Sequence, residues 1–82
     1  MITVLFFAQL RDQLGCESLS VDAQGISNLA GLRAQLVAQN PDWQSHLEAD
    51  SLLFAVNQTL VKVEHPVRAG DEVAFMPPVT GG

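Results

Sequence analysis

One stretch of this chain has helical periodicity over several turns, and the other apolar stretches are strand-like. Leu29, Leu32, Leu36 and Val37 recur at the i, i+3, i+7, i+8 spacing of one buried stripe. The spacing predicts a helix over 28–40, with Ser27 as its N-cap and Pro41 as its stop. A lone helix with one apolar stripe covers one face of one sheet, so the strands must form that sheet and leave their second face outward. Gly31 lies inside this helix at a cost of about 1 kcal/mol against Ala, which points to close backbone packing there.

Residues 2–8 are rich in β-branched and aromatic side chains and read as a buried strand, with Ile2, Val4 and Phe6 on one face and Thr3, Leu5 and Phe7 on the other. A helical turn over 9–14 is stopped by Gly15, and residues 17–22 alternate polar and apolar, giving an amino-terminal hairpin. A weaker helical piece is expected over 43–49, with Trp43 as a lid on the helix end. Strands follow at 52–56 and 72–76, with a short one at 59–63 and a turn at 68–71. This order suits an α+β domain in which one main helix packs on one face of a mixed sheet, of the β-grasp type that ubiquitin also has.

At 82 residues and 8.8 kDa the chain has room for one domain and a thin core, so function is expected at the surface or a terminus. Four scattered basic residues, Arg11, Arg33, Lys62 and Arg68, stand against nine acidic ones for a net charge of -5, which excludes a phosphate-binding surface for nucleic acid or an anionic membrane. The single cysteine, Cys16, has no partner for an internal disulfide, and no Cys/His pattern has zinc spacing, so no metal is expected. The apolar start lacks a basic segment before it, and Gln9, Arg11 and Asp12 cut it short. The expected compartment is the cytoplasm.

The last residues carry the chemistry. Pro77 and Pro78 have no N–H to give a sheet, so pairing stops and the chain divides into a domain over 1–77 and an extended tail over 78–82. At ~3.3 Å per residue such a tail reaches about 15–20 Å, enough to thread a carboxylate into another protein's active site. Gly81 and Gly82 lack a Cβ and suit a narrow channel. A free carboxylate is a poor acyl donor, but an acyl-adenylate formed with ATP is a good one, to which sulfur or an amine can be attached. On the residues alone, a frayed terminus remains the other reading.

Four segments then carry a resemblance to a known family: Val4-Leu5-Phe6-Phe7-Ala8-Gln9, Ala55-Val56-Asn57-Gln58-Thr59-Leu60-Val61, His65-Pro66, and Gly70 through Met76 running on into Pro77-Pro78-Val79-Thr80-Gly81-Gly82. Over nearly its full length the chain resembles the small, sulfur-carrier subunits of molybdopterin synthase. The resemblance implies that Gly82 is adenylated by a partner related to the ubiquitin-activating enzymes and converted to a thiocarboxylate. It further implies that the tail enters the large catalytic subunit and gives its sulfur to a cyclic pyranopterin precursor. Two such transfers build the dithiolene that later holds molybdenum, in a heterotetramer of two small and two large subunits. No cofactor is expected on this chain, since ATP would bind the adenylating partner and no phosphate-cradling motif occurs here. The chain alone is not expected to be an enzyme.

The strand periodicity places Val73 and Phe75 inward, and Ala74 and Met76 outward with Leu5 and Phe7. Phe7, Leu60 and Met76 then form an exposed apolar patch near the tail, and with Pro77, Pro78, Val79 and Thr80 they are the expected partner-binding residues. Met76 stands where the family resemblance implies an aromatic residue. A one-residue slip in register would instead bury members of the patch. Cys16, His46 and His65 lack neighbours that would make them reactive, Asp71 and Glu72 read as solvated acids, and Asn57-Gln58 reads as a turn with backbone hydrogen bonds. Two alternatives stay open: a sulfur carrier of another pathway, such as thiamine thiazole synthesis, and a non-covalent β-grasp module or protein tag.

Overall fold

The structure, a computed structural model, describes residues 1–78. Val79, Thr80, Gly81 and Gly82 lie outside the described residues. In chain order the elements are β1 (Ile2–Phe6), α1 (Ala8–Leu14), β2 (Ser18–Val21), α2 (Leu29–Gln39), a 3-10 turn (Pro41–Trp43), α3 (Gln44–Leu47), β3 (Leu53–Val56), β4 (Thr59–Val61) and β5 (Glu72–Met76).

The strands form one sheet in the order β2-β1-β5-β3-β4, parallel between β1 and β5 and antiparallel at every other pairing. Between the antiparallel pairs β1–β2 and β3–β4 the chain runs through α2, the long connection that brings it across the sheet. Ile2, Val4, Phe6, Val73 and Phe75 are each at most 1% exposed and pack in one core with Leu29, Leu32 and Leu36 of α2. The alternation predicted for the first and last strands therefore holds, and the architecture is the expected α+β mixed sheet with its main helix on one face. Trp43 sits as the expected lid, edge-on to Phe6 with ring centroids 5.4 Å apart.

Several local expectations are corrected. β1 ends at Phe6 instead of residue 8, because Ala8 has φ +55° and turns the chain into α1. The cap of α2 is Asn28, not Ser27: Asn28 Oδ1 accepts from Gly31 N at 2.9 Å, whereas Ser27 uses its carbonyl to accept from Val67 N at 3.2 Å. The amides of Leu29 and Ala30 donate to the carbonyls of His65 and Val63, so the loop before β5 completes the capping. Gly31 does not mark tight tertiary packing, since an added Cβ would meet only its own cap oxygen, at 3.4 Å. Val37 is half-buried at the margin of the core. β2, β3 and β4 are each shorter than expected, at Ser18–Val21, Leu53–Val56 and Thr59–Val61.

Candidate docking face and tail exit

The sheet register turns the outward residues into cross-strand rows. Leu5 pairs with Ala74, Ala74 with Ala55, and Ala55 with Leu60, so one row runs from β1 to β4 as Leu5, Ala74, Ala55, Leu60. Beside it, Leu53 pairs with Met76, and Phe7 N donates to Phe75 O at 3.2 Å, extending the ladder so that Phe7 flanks Met76. The central residues of the first row are alanines, whose short side chains leave a hollow between the larger Leu5, Phe7, Leu60 and Met76.

Phe7 is 44% exposed and Leu60 65%, and with the half-buried Met76 they line this one hollow. The structure thus brings together three residues that the sequence placed in one patch. Pro77 and Pro78 continue directly from Met76 and line a second groove, between α1 and α3, with Gln9, Gln13 and His46. Val79, Thr80, Gly81 and Gly82 lie outside the described residues. Sequence reasoning did not assign Ala55, Gln58 or Glu72 to the hollow; the available signal was small side chains at outward positions of central strands.

The far end of the hollow is held by a hydrogen-bonded corner. Asn57 and Gln58 have φ of +50° and +71° and make the tight turn between β3 and β4. Asn57 N donates to Glu72 O at 2.8 Å, Glu72 N donates to Asn57 Oδ1 at 3.0 Å, and Asn57 Nδ2 donates to Asp71 Oδ1 at 3.1 Å. Asp71 is therefore a turn-closing group and not simply a solvated acid. The Arg68 N–H, followed by the Asn57 amide, holds its carboxyl below the ordinary carboxylate value. Cys16 is half-buried against the core, with its Sγ 3.5 Å from the Ser18 carbonyl oxygen.

Among the described residues no group of three His, Cys, Asp or Glu is placed to hold a metal ion, and no helix is long and apolar enough to cross a membrane. The hollow offers shape and apolar area beside the end of β5, the chemistry of docking.

Sheet order and helix placement define a ubiquitin-like β-grasp protein. The chain belongs to the ThiS family, whose sequence pattern matches residues 4–82. It is 51% identical to the molybdopterin synthase sulfur carrier subunit of Escherichia coli K12 over 82 residues, all of both chains, and 42% identical over the same full span to that of Haemophilus influenzae. Among solved structures, small archaeal modifier protein 1 of Haloferax volcanii superposes with a TM-score of 0.84 at 26% identity, covering 99% of this chain and 98% of that one. A chain in the complex of subunits 1 and 2 of the Helicobacter pylori molybdopterin-converting factor shares the fold, with a TM-score of 0.69 at 24% identity, covering 99% of this chain and 97% of that one.

Proposed function

We propose that this chain is the sulfur carrier of molybdopterin synthase, a subunit of an enzyme complex that performs no catalysis alone. The observation that carries the reading is the full-length 51% identity to the Escherichia coli sulfur carrier subunit. In this account a Gly82 carboxylate oxygen attacks the α-phosphorus of ATP on an adenylating partner, and pyrophosphate leaves. A sulfur nucleophile then attacks the acyl carbon and AMP leaves, giving a thiocarboxylate. Its sulfur attacks a carbon of a cyclic pyranopterin precursor in the large subunit, and water then attacks the acyl carbon and breaks the C–S bond, leaving the sulfur on the pterin and restoring the carboxylate. Two such transfers complete the dithiolene, in a heterotetramer of two small and two large subunits.

The geometry supports a division of labour between face and tail. Phe7, Leu60 and Met76 dock the partner, while Pro77, Pro78, Val79 and Thr80 lead Gly81 and Gly82 into its active site. The 26% identity to an archaeal protein named a modifier favours a second reading, in which the activated Gly82 acylates a lysine amine of another protein.

Removal of Gly81 and Gly82 separates these roles. The shortened chain is expected to bind the large subunit as the full chain does while transferring no sulfur to the pterin precursor. Isopeptide-linked adducts made by the full chain, with no sulfur transfer, would favour the modifier reading.

A further inference from the structure

The hollow has one charged side chain in its lining. Glu72 sits on β5 at the next outward position before Ala74 and four residues before Met76, so its Cα lies about 13 Å from that of Met76 at ~3.3 Å per residue. Its main chain is fully used, since the Asn57 amide and side-chain oxygen take its carbonyl and N–H. Its carboxylate makes no ion pair or hydrogen bond among the described residues, where the one ion pair joins Arg11 and Asp12. A half-buried, unpaired acid at one end of an apolar hollow, on a chain of net charge -5, is complementary to a cation reaching over an apolar contact.

From this we infer that the occupant of the hollow is a protein face that sets an apolar side chain over Ala55 and Ala74 and an Arg or Lys against Glu72. This rests on the docking role proposed above and names the partner chemistry of the same face. The two ends of the hollow differ: Phe7 and Met76 mark the end from which the tail leaves, and Glu72 marks the other. An apolar hollow alone would accept a partner in either direction, whereas the cation on Glu72 fixes one. In that direction the partner's cation sits at the opposite end of the hollow from the point where the tail leaves. Glu72 is thus a specificity residue for docking polarity.

The test is binding of the full chain to the large subunit of Escherichia coli molybdopterin synthase, measured by calorimetry at low and at high salt. Wild type, Glu72→Gln, Glu72→Lys and Leu60→Ala are compared, each first checked for native circular dichroism. The expected result is a loss of affinity on the order of tenfold for Glu72→Gln, a greater loss for Glu72→Lys, and a weaker salt dependence for both. Leu60→Ala should lose affinity and keep the wild-type salt dependence. If Glu72→Gln binds like wild type while Leu60→Ala is weakened, the hollow is used without a cation and this inference is overturned, the docking role surviving. Absent binding by wild type, or binding indifferent to Leu60→Ala, the docking role falls and the inference with it.

Discussion

Asn57 Nδ2 lies 3.1 Å from Asp71 Oδ1, tying the β3–β4 turn to the start of β5 across fourteen positions of sequence. The other Asp71 oxygen accepts from Arg68 N at 2.9 Å, so one carboxylate joins two turns. Its carboxyl is held below the ordinary value of 3.8, first by the Arg68 amide and second by Asn57. A group whose folded value is depressed stabilises the fold above its unfolded value, and that contribution is lost as pH falls through the folded one. The stability gap between wild type and Asp71→Ala, from urea unfolding, should hold steady from about pH 7 to pH 5 and close below about pH 4.

The first turn of α2 distinguishes Asn28 from its neighbour. Asn28→Ala should destabilise the fold by about 1 kcal/mol, and Ser27→Ala by less than about 0.5 kcal/mol, because only Asn28 places a side-chain oxygen on the Gly31 amide. Gly31→Ala should stabilise by about 0.5 kcal/mol, the usual gain being reduced by the 3.4 Å approach of a new Cβ to the cap oxygen. Thermal and urea unfolding of the three variants check the order.

At Ala8 a side chain occupies left-handed backbone, with φ +55°. An L residue with a Cβ pays about 1–2 kcal/mol for that conformation, while glycine adds about 0.4–1 kcal/mol of unfolded-state entropy. Ala8→Gly should therefore raise stability by roughly 0.5–1 kcal/mol. A loss on urea unfolding would mean that Ala8 is not held at positive φ.

The alanine floor of the hollow gives a test of shape. Ala74→Leu fills the floor of the hollow, where Ala74 itself is only 9% exposed beneath the larger lining residues, and should lower affinity for the large subunit at least tenfold while leaving the circular dichroism native. Phe7→Ala, at a residue 44% exposed, should likewise change stability by no more than about 0.5 kcal/mol while weakening docking.

Period-2 and helical patterns revealed which faces are buried, because Ile2, Val4 and Phe6, Val73 and Phe75, and Leu29, Leu32 and Leu36 each obey a local rule. The ends of elements were less legible. The start of α2 is completed by bonds from Leu29 and Ala30 to the distant carbonyls of His65 and Val63, and Ala8 turns just after the β1–β5 pairing ends, neither of which a local window contains. Phe7 and Met76 were legible as outward residues near the tail, but the hollow itself was not. Ala55 and Ala74 become neighbours only once β3 lies beside β5, a pairing across nineteen positions that no local window contains. Glu72 was hidden for the same reason.

Sulfur carriage by Gly82 is tested most directly on the tail itself. The full chain, incubated with ATP, sulfide and an adenylating enzyme shown active on its own carrier, would be followed by intact and C-terminal-peptide mass against a chain lacking Gly82. Because exchange of oxygen for sulfur nearly matches the mass of Met76 oxidation, thiol-directed alkylation and fragmentation must place the change. The expected product is an ATP-dependent, alkylatable sulfur on Gly82 that the deletion abolishes. An unmodified tail in the presence of that active enzyme would rule out sulfur carriage by Gly82.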